Sequence, residues 1–326
     1  MRIIIYGLGA IGGGIAGALA SDGLDVIAIA RGAMLDAVRS GPLRIRRPNG
    51  EISVNLPVMD HPSRIDFRPD DLILLTMKTQ DTQAALHDLR AAGVRDQPIF
   101  CAQNGITNED FALRVFPNVH GMTVVMPATY VTPGEVIAPG MPKIGYFDIG
   151  RYPTGSDADD HRLADALGRS QFAGFVHNDV MSSKRGKLLM NTRNVLSALL
   201  GDQSKESALR ASLWTEAEAV FSAAGLTWQP VEMTDPRRSA LMTSQTVAGA
   251  PSIGGSTAQS LARATGHVET DYLNGEVARL GRLHNVPTPV NAFFADFMPF
   301  MVAQGVKPGD MTPAELDAHY AKWASE

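Results

Sequence analysis

The stretch MRIIIYGLGAIGGG, residues 1–14, decides the fold of this chain because it joins an apolar run to a cluster of glycines. The apolar residues 3–6 lead directly into Gly7-Leu8-Gly9-Ala10-Ile11-Gly12. This order is typical of a strand, a tight turn and the start of a helix. The first glycine permits the turn, the second leaves room for a pyrophosphate against the backbone, and the third lets helix and strand pack closely. The N–H groups at such a helix start favour phosphate. The stretch predicts a dinucleotide-binding unit, and the alternative is a glycine turn that binds no ligand.

The same stretch also has features of a secretory signal peptide. Arg2 precedes an apolar segment that ends in Ala18-Leu19-Ala20-Ser21, which has the form of a cleavage site. We interpret the stretch instead as the first strand and helix of the mature fold, because the glycine spacing suits a nucleotide site. Since no other stretch approaches about 18 clean apolar residues, we expect no membrane span.

Composition and charge describe an ordinary soluble globular protein. The 326 residues suit two domains, and 44% of them are hydrophobic and 19% charged. The net charge is −5, and the sequence has no long basic run. The densest basic cluster, residues 44–50, is interpreted as a solvated hairpin tip. We therefore expect no nucleic-acid partner.

Cysteine and histidine usage points away from disulfide and metal chemistry. The single cysteine, Cys101, cannot form an internal disulfide and fits a reducing, cytoplasmic compartment. It lies in a predicted buried strand, so we interpret it as a small core residue rather than a nucleophile. The eight histidines are scattered and no Cys/His cluster has zinc spacing, so we predict no metal site.

The hydrophobic pattern changes character near residue 178. Before it, strands and helices alternate, and the apolar runs at 71–77 and 98–102 are typical of a parallel sheet covered on both faces. After it, the patterns are helical. We therefore expect an α/β N-terminal Rossmann-like dinucleotide-binding domain in residues 1–177, followed by an all-α C-terminal domain for substrate binding or dimerisation in residues 178–326.

Three segments of the helical half carry more specific predictions. Residues 183–200 predict one long helix, whereas the small residues of 241–255 predict a loop. Residues 293–301 predict an apolar helix that belongs either to the core or to a dimer surface, because Phe and Met recur around it. The expected assembly is accordingly a monomer or a homodimer.

The end of the second predicted strand indicates which nucleotide binds. Rossmann domains that select NAD normally have an acid at this point, where it holds the ribose 2′-OH. Here residues 26–30 are followed by Arg31-Gly32, with no acid. Because a planar guanidinium suits a phosphate, Arg31 predicts a preference for NADP (NADPH). The alternative is an ordinary surface arginine.

Two polar side chains directly follow predicted buried strands. Lys78 follows the strand of residues 71–77, and Asn104, within Gln103-Asn104-Gly105, follows that of residues 98–102. Because the carboxyl ends of parallel strands face the ligand crevice, we expect both side chains to face cofactor or substrate. The alternatives are a solvated lysine that opens a helix and an ordinary Asn-Gly turn.

A lysine and two amides share one face of the predicted helix 183–200. At about 100° per residue, Asn191 lies roughly 40° from Lys187, and Asn194 lies roughly 20° away on the other side. We interpret this face as one that contacts substrate, with a solvated polar face as the alternative. Glu269, in the run ETDYLNG, is a further candidate, and the alternative for it is an acidic helix start favoured by the helix dipole.

With these residues in view, the chain resembles the ketopantoate reductase (2-dehydropantoate 2-reductase) family along essentially its whole length. The resemblance rests on five stretches: GLGAIGG near the N-terminus, LLTMKTQDT around Lys78, Gln103-Asn104-Gly105, KLLMN from Lys187, and ETDYLNGEVARLGRLHNVPTPVN from Glu269. It implies a Rossmann domain, a helical domain and the NADPH-dependent reduction of a small 2-oxo acid to the 2-hydroxy acid. That reaction supplies pantoate for vitamin B5 and coenzyme A.

The resemblance also implies roles for individual residues. The general acid of the family corresponds to Lys187, and the glutamate that binds the substrate hydroxyl corresponds to Glu269. The lysine and asparagine at the junction of cofactor and substrate correspond to Lys78 and Asn104. The remaining substrate contacts correspond to Asn191, Asn194 and Thr257, with Ser256 beside the last. A protonated lysine is suited to this work because hydride transfer to a carbonyl builds negative charge on the oxygen.

Three departures from the family pattern all fall on substrate-side residues. The family has tryptophan where this chain has Arg185. The second helical asparagine, Asn194, comes three residues after Asn191 instead of four, and Val195 stands at the usual place. The segment before Glu269 is also altered, at residues 254–260. The substrate is therefore left open between ketopantoate and another small 2-oxo acid or ketone. A third hypothesis is an NADP(H)-binding sensor without turnover.

Overall fold

The computed structural model describes residues 1–130, 132–231, 235–251, 253–264 and 266–326. Its chain divides into two units. The first consists of Met1–Lys184 and Pro230–Ala250, and the second of Arg185–Gln229 and Pro251–Glu326. The first unit thus reaches past the boundary expected near residue 178 and takes in a later segment of the chain.

The strands found in the described residues all belong to the first unit. They are β1 (Arg2–Tyr6), β2 (Val26–Ile29), β3 (Leu43–Arg47), β4 (Gly50–Val54), β5 (Val58–Met59), β6 (Asp71–Leu75), β7 (Ile99–Cys101), β8 (Val119–Val125), β9 (Glu135–Ile137), β10 (Gly140–Pro142), β11 (Gly145–Arg151), β12 (Phe172–Val176) and β13 (Met242–Ser244).

The helices occur in both units. They are α1 (Ala10–Ser21), α2 (Gly32–Ser40), α3 (Thr82–Ala91), α4 (Asn108–Leu113), α5 (Ala158–Gly168), α6 (Val180–Asn191), α7 (Asn194–Leu200), α8 (Arg210–Ala223), α9 (Pro236–Leu241), α10 (Ser256–Ala262), α11 (Asn274–His284), α12 (Pro289–Ala303) and α13 (Pro313–Trp323). In the described part of the second unit these are joined by turns and loops, without strands.

The main sheet of the first unit has eight strands among the described residues, in the order β12-β11-β8-β7-β6-β1-β2-β5. Neighbouring strands are parallel except for β8 and β11, which are antiparallel. Alternate residues of β1 enter different core clusters: Ile3 and Ile5 one cluster, and Ile4 the other. Since both faces of the sheet are covered, its central strands are apolar at successive positions. The expected fold class is confirmed.

Helix α1 packs closely against a second, smaller sheet of order β4-β3-β9. A Cβ atom added to Gly13 would lie 2.8 Å from a methyl carbon of Val136, and one added to Gly17 would lie 2.7 Å from a methyl carbon of Ile45. The glycines that extend the N-terminal cluster therefore permit this packing, and they hold the start of α1 beside the end of β1.

The later segment of the first unit is attached by long-range contacts. Strand β13 pairs antiparallel with β10. The Arg237 guanidinium donates to both carboxylate oxygens of Asp148, and the hydroxyl of Tyr146 donates to Asp235 at 3.2 Å. The prediction of a loop over residues 241–255 is therefore wrong at its start. A three-residue strand in a polar stretch leaves no periodic signal in the sequence.

The predicted helix 183–200 is two helices, α6 and α7, separated at Thr192 and Arg193. The carbonyl of Thr192 accepts a hydrogen bond from the Asn274 side chain at 3.0 Å. The amide of Leu196 binds the carbonyl of Arg193 instead, at 3.1 Å. The prediction of one helix is wrong because a side chain from α11 takes the carbonyl that an unbroken helix would use for its own ladder.

The second unit has its own hydrophobic core, to which α12 contributes most of the aromatic side chains. Phe293, Phe294 and Phe297 are buried, whereas Phe300 is 53% exposed. Most of this predicted apolar helix therefore belongs to the core. No helix in the described part of the chain is long and apolar enough to cross a membrane.

Candidate functional site

The glycine cluster forms a tight turn, which we call the phosphate turn (residues 7–12), between β1 and α1. Gly7 has a φ of +108°, and its amide binds the carbonyl of Ile29 at 2.9 Å. A Cβ atom at Gly12 would overlap the carbonyl oxygen of Gly7 and the hydroxyl of Thr76. The residues at both ends of the turn therefore have to be glycine for the turn to close.

The middle of the phosphate turn is open. Gly9 precedes α1 with a φ of −82°, and apart from its two neighbours in the chain no described residue has an atom within 4 Å of a Cβ placed on it. The first intrahelical bond runs from the Gly13 amide to the Gly9 carbonyl, at 2.8 Å. The amides before Gly13 belong to the first helical turn, which leaves them without intrahelical acceptors. The turn thus has the space and the donors that a pyrophosphate needs.

Arg31 stands where the sequence predicted it, between β2 and α2. Its side chain is 79% exposed, and its guanidinium pairs with the Asp81 carboxylate at 2.8 Å. Asp81 belongs to a short 3-10 turn that follows β6. Asp81 was not among the candidates that the sequence indicated, although it comes three residues after Lys78 in the run KTQD. The guanidinium at the end of β2 therefore has an acid beside it.

Lys78 and Asn104 lie at the same edge of the main sheet. They follow β6 and β7, which are parallel neighbours with Leu75 opposite Cys101. Both side chains are half-buried. The structure therefore brings together the two polar residues that the strand ends predicted, and their roles toward cofactor and substrate stay predictions.

A buried polar network holds the turn after β7. The Thr82 hydroxyl donates to the Asn108 side chain at 2.8 Å, and Asn108 donates to the Asn104 carbonyl at 3.2 Å. The Gln103 side chain donates to the Thr82 hydroxyl at 3.0 Å. Because these groups are buried, the bonds fix the backbone on which Asn104 is carried.

In the second unit, Lys187 and Asn191 lie one turn apart on α6. Lys187 is half-buried, whereas Asn191 is 5% exposed. Asn194 begins α7 and does not continue the α6 face, but its side-chain nitrogen donates to the side-chain oxygen of Asn191 at 3.3 Å. The side-chain nitrogen of Asn191 is buried without a hydrogen-bond partner among the described residues. A buried amide donor therefore remains available beside the lysine.

The N-terminus of α10 lies near the side chain of Asn194. A Cβ atom at Gly255 would lie 3.9 Å from the side-chain oxygen of Asn194. Ser256 and Thr257 open this helix, and Thr257 is 5% exposed. The structure thus brings the segment that carries Ser256 and Thr257 next to Asn194.

Glu269 is half-buried and directly precedes the short turn that leads into α11. At the start of α11, Asn274 binds the end of α6 through the Thr192 carbonyl. The segment that carries Glu269 is therefore tied to the helix that carries Lys187 and Asn191. Arg185 is 9% exposed, so the departure from tryptophan places an arginine in a largely buried position.

One group of ligand-type side chains lies elsewhere in the first unit: His120, Asp157 and Asp159. Their polar atoms have protein partners. The His120 ring binds Asp160 at 2.7 Å, and Asp157 accepts from Arg151 at 2.7 Å and caps α5. Because these atoms already form a cap and ion pairs, the group gives no reason to assign a metal ion.

Two family models match the chain. Residues 3–153 match the model described as Ketopantoate reductase PanE/ApbA, and residues 179–300 match the model described as Ketopantoate reductase PanE/ApbA C terminal. The 2-dehydropantoate 2-reductase of Pyrococcus horikoshii is 28% identical over 295 residues, which cover 89% of this chain and 94% of that protein. The enzyme of the same name from Caulobacter vibrioides is 27% identical over 305 residues, with coverage of 89% and 95%.

Solved structures give the same result for the fold. A PanE/ApbA family ketopantoate reductase from Ralstonia eutropha is 25% identical, with a TM-score of 0.75 and coverage of 94% of this chain and 99% of that one. D-mandelate dehydrogenase, solved with NADH and anilino(oxo)acetate, is 22% identical, with a TM-score of 0.73 and coverage of 94% and 98%. The fold is therefore shared by enzymes named for different substrates.

Proposed function

The chain belongs to the ketopantoate reductase family of oxidoreductases, and from this premise we propose that it reduces the ketone of a small 2-oxo acid with NADPH. The first candidate substrate is 2-dehydropantoate, and the product is pantoate. The matches confirm the family, the fold class and the enzyme class that the sequence predicted. We assign the cofactor to residues 1–177 and most substrate contacts to residues 178–326.

The unpartnered amide nitrogen of Asn191 carries this proposal. A buried donor without an acceptor costs about 1–3 kcal/mol, so this nitrogen needs an acceptor that the described residues do not supply. This donor lies one helical turn from Lys187 and next to Asn194. A substrate with a carboxylate, a ketone and a hydroxyl offers acceptors of the kind that this group lacks.

The lysine supplies acid catalysis in the proposed reaction. A reduced nicotinamide, when bound, supplies the hydride for the carbonyl carbon. The Lys187 ammonium stabilises the negative charge that develops on the carbonyl oxygen and donates a proton to it, which leaves a 2-hydroxy acid and a neutral amine. The amine regains its proton from solvent. Glu269 accepts a hydrogen bond from the substrate hydroxyl, and Thr257, Ser256 and Asn194 bind the remaining polar groups.

The residues of the first unit fit a dinucleotide. The phosphate turn offers amides and open space at Gly9, and Arg31 offers a guanidinium to a 2′-phosphate. No acid follows β2, so this chain lacks the usual partner of an unphosphorylated ribose at that point. Lys78 and Asn104 act at the nicotinamide end, where they orient the cofactor and the substrate carbonyl.

A second candidate function keeps the chemistry and changes the substrate to another small 2-oxo acid or ketone. It is favoured by the largely buried Arg185, and by the three-residue spacing of Asn194 from Asn191, which spans the break between α6 and α7. Both features alter the substrate side of the protein, while the phosphate turn is unchanged.

The test is NADPH oxidation by the purified protein with ketopantoate and a panel of other 2-oxo acids, followed by the absorbance of the reduced nicotinamide. Preferential turnover of ketopantoate supports the first candidate, and preferential turnover of another acid supports the second. Binding of NADPH without turnover of any carbonyl would instead indicate the sensor hypothesis.

Replacement of the proposed acid tests the mechanism. Lys187→Ala is expected to lower kcat by about 100-fold or more, because general acid catalysis contributes about that much, while the Kd for NADPH stays within about twofold. Lys205→Ala, at an exposed lysine of the same unit, is the matched control and should retain full activity. Equal activity of the two variants would remove Lys187 from the mechanism.

A further inference from the structure

A second lysine of α6, Lys184, is buried in the first unit and has no role in the mechanism above. Its side chain is 2% exposed. Its ammonium donates to the Cys101 carbonyl at 3.0 Å, to the Gln103 carbonyl at 3.1 Å, and to the Glu109 carboxylate. An ammonium has three donors, and each of them has an acceptor here. A buried ammonium needs an acceptor for every donor, because its transfer out of water costs free energy.

The two carbonyls lie on either side of the point where β7 leaves the sheet. Cys101 is the last residue of that strand, and the Ala102 amide still binds the carbonyl of Leu75 on β6, at 3.0 Å. The chain then enters the turn Gln103-Asn104-Gly105, in which Gly105 has a φ of +84°. Lys184 therefore binds the backbone where ladder pairing ends and the turn that carries Asn104 begins.

The same turn is held from a second direction. The Asn108 side chain binds the Asn104 carbonyl, and the Gln103 side chain binds Thr82. Glu109, the acidic partner of Lys184, is the next residue after Asn108 at the start of α4. The lysine thus joins the strand end, the turn and α4 through one buried atom.

We infer that Lys184 is a positioning residue: its ammonium fixes the turn after β7 and thereby the direction of the Asn104 side chain, without contacting substrate or cofactor itself. This inference rests on the proposed function of Asn104. Placement of reacting groups to within about 1 Å is worth up to about 100-fold in rate, so a residue that holds the backbone of Asn104 acts on kcat.

The alternative is that Lys184 and Glu109 only stabilise the fold. A buried ion pair is weak support for stability, because neutral residues of similar shape often replace it without loss, whereas removal of one partner leaves an unpaired charge. Burial raises the pKa of Glu109, although the charge of Lys184 acts to lower it. The second carboxylate oxygen of Glu109 has no hydrogen-bond partner among the described residues. The carboxylate is therefore incompletely satisfied, whereas every donor of the lysine has an acceptor.

The experiment separates rate from stability with two variants of this pair. Glu109→Gln keeps a side-chain acceptor and both carbonyl bonds of Lys184 but leaves its charge unpaired, so we expect a lower Tm with kcat within about threefold of the wild type. The double variant Lys184→Met/Glu109→Gln removes both charges but also the donor to the two carbonyls. For it we expect a smaller loss of Tm and a kcat about 10- to 100-fold lower.

A buried ion pair at the opposite edge of the sheet provides the control. Arg2 and Asp71, at the starts of β1 and β6, pair at 2.7 Å with side chains 6% and 0% exposed. Arg2→Met/Asp71→Asn should lose Tm but keep kcat. If kcat instead follows Tm across all the variants, or the Lys184 double variant keeps wild-type kcat, the inference is overturned.

Hydrogen exchange gives a readout that does not depend on turnover. The Ala102 amide binds the Leu75 carbonyl between the two carbonyls that Lys184 holds, so it should lose protection in the Lys184 double variant and keep it in the Arg2 control. If the wild-type protein reduces no acid of the panel, the proposed function fails, and this exchange result alone then decides whether Lys184 holds the turn. Unchanged protection in the double variant would overturn the inference in either case.

Discussion

Alanine substitutions at Gly9 and Gly12 of the phosphate turn should have different effects. The first should weaken cofactor binding, and the second should lower the stability of the fold. Apart from its two neighbours in the chain, a Cβ atom at Gly9 meets no described residue within 4 Å, and the φ of −82° at this residue suits alanine. A Cβ atom at Gly12 overlaps the Gly7 carbonyl oxygen and the Thr76 hydroxyl. Gly9→Ala therefore adds a methyl group to the space proposed for the pyrophosphate, whereas Gly12→Ala adds one to the interior of the protein.

The magnitudes follow from these contacts. Gly9 is the N-cap of α1 without a side-chain bond, so its replacement by alanine should cost at most about 1 kcal/mol of unfolding free energy. At Gly12 the overlapped carbonyl is backbone that cannot rotate away, and we expect a loss of about 3 kcal/mol or more. In the complex, a methyl group at Gly9 displaces the pyrophosphate from backbone donors. Each lost bond to a charged oxygen costs about 1.5–3 kcal/mol, which corresponds to about 10- to 100-fold in Kd.

The assay is a pair of measurements on each variant: urea unfolding for stability and calorimetric titration with NADPH for Kd. Gly168→Ala, at an exposed glycine that ends α5 and, apart from its chain neighbours and the backbone of its own helix, also has no described atom within 4 Å of its added Cβ, is the control and should bind NADPH normally. Wild-type affinity in Gly9→Ala would refute the assignment of the pyrophosphate to this turn. Wild-type stability in Gly12→Ala would refute the packing argument.

Two further predictions concern charges in the first unit. Arg31→Ala should weaken NADPH binding by about tenfold and leave NADH binding unchanged, because only NADPH has the 2′-phosphate; an equal loss for both cofactors in parallel titrations would contradict the assignment. Burial by itself would raise the pKa of Asp235, but hydrogen bonds from Arg237 outweigh it and hold that pKa below the usual value of 3.8. This carboxylate therefore contributes stability above pH 3.8 that is lost as the pH falls through the lower folded pKa. The free energy of unfolding, measured with urea from about pH 5 to about pH 2, should fall less steeply with pH in Asp235→Asn than in the wild type. Equal slopes of this free energy against pH would exclude the contribution of Asp235.

The features that could be predicted from the sequence are those fixed by local sterics and short-range periodicity. The glycine spacing from Gly7 to Gly12 has a direct steric cause in the structure. The positions of Lys78 and Asn104 follow from the rule that parallel strands end at one edge, once both strands are recognised as apolar runs. Arg31 follows β2 for the same reason.

The features that could not be predicted depend on partners far away in the chain. The break after α6 is caused by Asn274, which lies 82 residues beyond the carbonyl that it binds. The attachment of residues 235–244 to the rest of the first unit depends on the bond between Arg237 and Asp148, which lies 89 residues earlier in the chain. Lys184 was missed because its acceptor Glu109 is 75 residues away, and its polar neighbours in the chain give no sign that it is buried.

The break between α6 and α7 also has a consequence for where the chain can tolerate a change of length. In an unbroken helix, the loss of one residue turns everything beyond it by about 100°. Such a rotation would carry Val195, Leu196 and Leu199 out of the core in which they are buried. A two-residue interruption, as at Thr192 and Arg193, can absorb such a loss locally, so that α7 keeps the same side buried. A gap placed at Thr192–Arg193 in an alignment therefore has a structural meaning, since it marks the point where one residue can be lost while α7 keeps its orientation.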